Sequence, residues 1–242
     1  MSLGHGPRIP GVTDGLVLYL DANLPSSYSG SGNTWYDLSG KGNHGTLING
    51  PTYNLNGKQT SFVFDGSNNY CTLPTNLIVH DNGNPFTISV WFKTSINSGI
   101  IIGQQAEATV GSSPSGWVPS VYVDSSGKLR TSCFWGGSET NQSISTSAVN
   151  DNVFHNAVVT VSGTAHKSYL EGNLFGELTK TQTYYSATYY YFLGSGTQTS
   201  WPSIGSSNYF NGNIPLLMVY NRALSATEIQ QNFQALRGRY GI

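Results

Sequence analysis

From residue 14 to about residue 221 the chain alternates apolar and polar side chains with period two. This constrains the fold more than any other feature. Phe86, Ile88, Val90 and Phe92 share one face, with Thr87, Ser89 and Lys93 opposite. Ala157, Val159 and Val161 alternate with Val158, Thr160 and Ser162, and Leu16, Leu18 and Leu20 are read as one face. Strands that are apolar on one side and polar on the other pair antiparallel and pack face to face. Turn signals separate them at Asp65-Gly66, Asn82-Gly83, Ser126-Gly127, Asn173 and Asn211-Gly212. No segment of helical length and period precedes residue 225. The expectation is an all-β, antiparallel jelly-roll β-sandwich. At 242 residues the chain suits one domain. A chain of this length buries roughly 70–75% of its unfolded surface, enough for a core without staples.

The C-terminus departs from that pattern. An apolar strand through Met218 and Tyr220 runs into one short helix, expected over about 225–236. Ser225 caps it, with Glu228 three residues on, the spacing of a capping box. Leu224 and Ile229 stand at the two positions of a hydrophobic staple. Ile229, Phe233 and Leu236 recur at helical spacing, so their stripe should pack on a sheet or cover an edge. Gly238 is read as the stop signal, with Arg237 and Arg239 at the negative end of the helix dipole.

The segment Tyr220-Asn-Arg-Ala-Leu-Ser-Ala-Thr-Glu-Ile229 resembles the closing stretch of laminin-G-like, concanavalin A-like jelly-roll (lectin/glucanase) domains. These domains occur in bacterial and phage surface proteins. Further segments resemble the family in order. Gly15-Leu-Val-Leu-Tyr-Leu-Asp-Ala22 is similar to its opening strand, and Trp35 to Leu47 to the loop after it. Phe62 to Tyr70, Phe86 to Phe92, Phe154 to Val161 and Tyr169 to Asn173 are similar to its later signatures. The resemblance spans roughly residues 14 to 241. It implies one domain over 14–242, preceded by a Gly/Pro-rich arm or linker at 1–13.

Composition narrows the function. Charged residues make up 10% of the chain, and Gly (29 residues), Asn, Ser, Thr and Tyr replace them. That mix suits an extracellular or virion β-protein better than a cytosolic enzyme. The formal net charge is −1 with no basic run, which argues against a nucleic-acid partner. No run of 18 apolar residues is present, so no membrane-inserted helix is expected. Residues 1–15 lack the apolar core of a secretory leader. Cys71 and Cys133 are read as buried thiols, with a disulfide as the alternative. Asn141-Gln-Ser143 is a glycosylation sequon, given little weight.

The same fold carries glucanases, so catalysis has to be judged on residues. Glycoside hydrolysis ordinarily uses two carboxylates about 5–9 Å apart. The glucanases of this fold carry theirs as Glu-x-Asp-x-Glu on one strand. The glutamates here, at 107, 139, 171, 177 and 228, show no such pattern. His155 opens a strand and is read as a structural hydrogen-bonding residue. No catalytic residue is assigned. Calcium takes six to eight oxygens; Asp37 and Asp65, in oxygen-rich turns, are its two candidates, against a plain turn-forming role for both. No cofactor is required on this reading.

Sugar recognition uses aromatic rings against CH faces and amides against hydroxyls. The carbohydrate-binding candidates are Trp117, Trp135, Trp201 and Tyr122. The tyrosine-rich run 184–191, read as an edge or loop with a sticky face, is a further candidate surface for a sugar. The expected function is a non-catalytic, surface-displayed module binding a cell-surface or extracellular glycan, plausible as a phage virion component. The partner is then a glycan or a virion or cell-surface protein. A purely structural decoration or fibre protein, assembling as an oligomer or on a capsid or tail, is the alternative.

Overall fold

The computed structural model describes residues 11–78, 83–111, 114–133, 139–181, 188–205 and 207–242. The first strands are β1 (Leu16–Asp21), β2 (Thr34–Trp35), β3 (Gly45–Ile48), β4 (Thr52–Asn54), β5 (Ser61–Asp65) and β6 (Tyr70–Leu73). Then come β7 (Phe86–Lys93), β8 (Gly99–Gln105), β9 (Trp117–Val123), β10 (Lys128–Thr131) and β11 (Ser143–Ala148). The last are β12 (His155–Ser162), β13 (Ala165–Leu170), β14 (Asn173–Thr179), β15 (Tyr190–Leu193) and β16 (Asn211–Tyr220), followed by helix α1 (Ala226–Tyr240).

Among the described residues these strands make two eight-stranded antiparallel sheets, the expected jelly-roll sandwich. Sheet A has the order β14-β13-β12-β7-β16-β5-β4. Its long strand β16 pairs with β7 on one side; on the other, residues 211–214 pair with β5 and 216–220 with β1. Sheet B has the order β11-β10-β9-β8-β15-β6-β3-β2. The main core lies between the sheets. Phe86, Ile88, Val90 and Phe92 of β7 face Ile101, Val121, Tyr191 and Leu193 of sheet B within it.

A second apolar cluster lies on the other face of sheet A, under α1. Ile229, Phe233 and Leu236 cover Tyr19, Trp91, Val158 and Met218 there. Trp91 stacks on Phe233 at 5.8 Å and meets Tyr240 at 4.3 Å. The capping box is complete: the Ser225 side chain accepts from the Glu228 N–H, and the Glu228 carboxylate accepts from the Ser225 N–H.

Four expectations are corrected. The helix runs past Gly238 to Tyr240, and the left-handed cap is Gly241 at φ 81°. A glycine inside a helix costs about 1 kcal/mol. Burial of Tyr240 against Trp91 and Phe154 offsets it. Leu16 does not share the face of Leu18 and Leu20; a bulge between Leu16 and Leu18 turns it to the helix side. The tyrosine run is no edge where it is described. Tyr190–Leu193 is strand β15 at the middle of sheet B, with Tyr191 buried and its hydroxyl bonded to Gln104 and the Ile78 carbonyl. Residues 184–187 of that run lie outside the described residues.

The expected arm over residues 1–13 is also corrected at its inner end. Residues 1–10 lie outside the described residues, but Val12 is docked on the helix layer. Its N–H donates to Asn232 at 2.7 Å, and its carbonyl accepts from the Tyr220 hydroxyl at 3.0 Å. Both cysteines are free and buried, and burial raises both thiols, so the disulfide alternative falls.

Candidate functional site

The two sheets differ on their outer faces. The middle of sheet A's, on β1, β16, β7, β12 and β13, lies under α1. Sheet B's outer face is crossed by a segment, described over 194–205 and 207–210, that leaves β15, lies against β8, β9 and β10, and leads into β16. Two glycines let it lie flat: a Cβ on Gly103 of β8 would stand 2.5 Å from the Ser195 carbonyl and 2.6 Å from Gly196 Cα.

Side chains of sheet B fasten this strap. The Trp117 indole N–H donates to the Thr199 carbonyl at 3.0 Å, and the Tyr122 hydroxyl to that of Pro202 at 2.9 Å. Thr197 donates to Gln105 at 3.1 Å. Arg130 holds Asp124 at 2.7 Å, Glu139 at 2.6 Å and the Ser203 hydroxyl at 3.0 Å. Inside the strap, the Gln198 amide donates to the carbonyls of Gly205 and Ser207.

This changes the list of binding candidates. Tyr122 is fully buried beneath the strap, and Trp201 is 5% exposed, so neither presents a ring to a ligand. Trp201 stands in a sequence that reads as open loop but belongs to the strap and is buried within it, and Tyr122, on β9, lies beneath the strap. Trp135 lies outside the described residues. Trp117 remains, partly exposed at the strap's border.

Beyond the strap, on β15, β6, β3 and β2, the outer face stays open. Alternation about the core residues Tyr191, Cys71, Leu47 and Trp35 sends their neighbours outward. Register then aligns those neighbours in rows. Thr34 lies opposite Thr46, Thr46 opposite Thr72, and Thr72 opposite Phe192. On one side of that row, Ile48 lies opposite Tyr70. On the other, Tyr190 lies opposite Gln105, which lies opposite Trp117. Thr34, Thr46, Ile48, Tyr70, Thr72, Tyr190 and Trp117 are all partly exposed. Phe192 is buried as their floor, with the Tyr70 ring edge-on to it at 5.9 Å and tilted against Tyr209 at 6.4 Å. No member of these rows carries a carboxylate, ammonium or guanidinium group.

Reading residues one at a time missed Tyr70 and Thr72, and took in Tyr190 only as part of the tyrosine run 184–191. The signal was present in the alternation Tyr70-Cys-Thr-Leu73 and Tyr190-Tyr-Phe-Leu193, but the rows exist only once register is known.

The carboxylates are committed elsewhere. Both oxygens of Asp37 are taken by the chain, from the N–H groups of Tyr19, Ser39 and Asn43 and the Ser39 hydroxyl, at 2.7–3.0 Å. Asp65 accepts from the N–H groups of Ser67, Asn68 and Asn69. Burial opposes its ionisation, but those bonds prevail and keep its carboxyl below the usual range. Both aspartates thus serve as turn-forming acceptors. Among the described residues no group of three or more His, Cys, Asp or Glu is placed to hold a metal ion.

Each glutamate also has a partner: Glu107 the Ser115 N–H, Glu139 Arg130, Glu171 His155, Glu177 Lys167 and Glu228 Arg222. His155 sits between Glu171 at 2.6 Å and Asp151 at 3.0 Å, tying the β13–β14 turn to the approach to β12.

Comparison with known proteins agrees with this architecture. Among solved structures, Trypanosoma rangeli sialidase matches 96% of the chain with a TM-score of 0.62 and 16% identity. The chain spans about a third of that enzyme's length, 35%. Domain 4 of AbnA, a GH43 extracellular arabinanase from Geobacillus stearothermophilus solved in complex with arabinotriose, matches 90% of the chain and 98% of its own. Its TM-score is 0.61 at 16% identity. The binding domain of Paraclostridial Mosquitocidal Protein 1 matches 91% of the chain and 52% of its own, with a TM-score of 0.58 and 15% identity. At these identities the likeness is one of fold. No curated protein sequence matches the chain. The family model for concanavalin A-like lectin/glucanases matches residues 65–230, from the end of β5 into α1. With that match over most of its length, and with the two-sheet sandwich and closing helix described above, the chain belongs to the concanavalin A-like lectin/glucanase superfamily, in its laminin-G-like branch.

Proposed function

We propose that this chain is a non-catalytic module that binds glycan on the open half of sheet B's outer face. The observation that carries the reading is the set of in-register rows: aromatic side chains at Trp117, Tyr190 and Tyr70, with the hydroxyls of Thr72, Thr46 and Thr34 among them. Rings offer apolar faces to the CH surface of a sugar, and hydroxyls read its oxygens. The rows sit on paired strands, so the groups are held in place before a ligand arrives, which lowers the ordering cost of binding. The arabinanase domain solved with arabinotriose has the same fold and supports a sugar as the ligand class.

The non-catalytic part of the reading is supported by the pairing of all five glutamates, which leaves the platform without the two facing carboxylates of glycoside hydrolysis. The charge-poor, hydroxyl-rich composition suits display outside a cell or on a particle, which we include in the proposal.

A broad glycan array probed with the purified chain, in calcium and in chelator, tests the reading. The expected result is a set of hits whose signals match in the two buffers, because Asp37 and Asp65 already spend their oxygens on the chain. An array without a hit in either buffer contradicts the binding role. Release of reducing sugar from a bound glycan, lost on replacing one glutamate, contradicts the non-catalytic one.

A further inference from the structure

The open half of sheet B also constrains what kind of glycan it takes. Neighbouring strands lie about 4.8 Å apart and a strand rises about 3.3 Å per residue. Trp117 and Tyr190 are two strands apart in one row, a separation of about 10 Å. Tyr190 stands one step beyond the Tyr191–Leu73 pair, so Tyr70 lies about four residues further along β6, roughly 13 Å away. The three rings therefore span far more than one sugar. The platform has the strap as a wall on one side and runs open toward the short edge strand β2 on the other. Among the described residues it forms a shelf, with no segment closing its end.

Charge points the same way. The rows hold rings, hydroxyls and an amide. At the Tyr70 end stands the ionised Asp65, close enough to Tyr209 to act on its phenol. At the Trp117 end stands the Glu107 carboxylate, bonded to Ser115 two residues before the indole. A sialylated, uronate or sulfated polymer would meet two like charges and no compensating cation in the rows.

Resting on the glycan-binding reading, we infer that the ligand is a neutral, extended polysaccharide, bound lengthwise along an internal stretch across Trp117, Tyr190 and Tyr70. Native affinity gels cast with arabinan, xylan, mannan or β-glucan, and with polygalacturonate, alginate or polysialic acid, separate the outcomes. Retention by a neutral polymer, unchanged by salt, is expected. Tyr190→Ala should weaken it about tenfold or more while the melting temperature holds. Thr72→Val, which keeps the side-chain shape, should weaken it by a smaller factor.

Oligosaccharides cut from the retained polymer should compete better with each added unit until the shelf is filled. Retention only by acidic polymers, lost in salt, overturns this inference and leaves the glycan reading standing. So does a monosaccharide that competes as well as the longer fragments. Retention by none of the polymers overturns the glycan reading, and this inference with it.

Discussion

Glu228 shows how a single residue is settled by its neighbours. Its carboxylate accepts from the Ser225 N–H and pairs with Arg222 at 2.6 Å. The Arg222 guanidinium, then the Ser225 N–H, hold its carboxyl down at about 2. A depressed acid stabilises the fold above its unfolded value near 4.5 and loses that contribution as pH falls toward 2. Glu228→Ala should therefore cost about 1 kcal/mol at neutral pH, the usual worth of a cap, with the cost shrinking below pH 4.5 and gone once pH falls through about 2. Urea melts of both proteins across that range check it. His155 has the opposite sign. Burial works against its charge, but Glu171 and Asp151 prevail and raise it above 6.5. Its contribution is full below that value and is lost as pH rises through the folded value. His155→Gln should flatten the fall in stability as pH rises above 6.5, read from melts at a series of pH values. Glu228 was legible in sequence because its partners lie within six residues. Tyr122 was not, because the groups that bury it come from the strap, 80 residues further on.

At the scale of elements, the closing helix and the strap do different work. The helix was legible in kind, since cap, staple and stripe are all local. Its end was not, because Tyr240 extends it by packing on Trp91, a residue far away in sequence. Phe233 is 5% exposed and stacked on Trp91, so Phe233→Ala should cost about 3–5 kcal/mol. The near-UV circular dichroism of Trp91 should weaken with it. The strap depends on Gly103 and Gly196 touching backbone to backbone. Gly103→Ala forces the two apart and should cost about 1–3 kcal/mol, the range for overpacking. It should also free the Trp117 indole from Thr199, seen as a red shift in tryptophan emission. If that variant melts like the native protein, the strap is not clamped as described.

For the whole molecule, α1 covers the middle of sheet A's outer face, the strap covers half of sheet B's, and the other half of sheet B's carries the aligned rows. The inter-sheet core follows from alternation, which Phe86 to Phe92 displays plainly. Which outer face stays open does not. It depends on α1 covering the middle of sheet A, on the strap crossing half of sheet B, and on a register that lines up Thr34, Thr46 and Thr72 from three separate strands. Register over such sequence distances is set by pairing partners, which no local window contains. The central claim, that this open half-face is the ligand surface, is tested most directly by an amide chemical-shift titration with the glycan that the chain retains. Shifts should concentrate at Trp117, Tyr190, Tyr70, Thr72 and Thr46 and leave α1 and the Asp37 loop unmoved. Shifts centred on α1 or on the Asp37 loop, with the rows of sheet B silent, would contradict it.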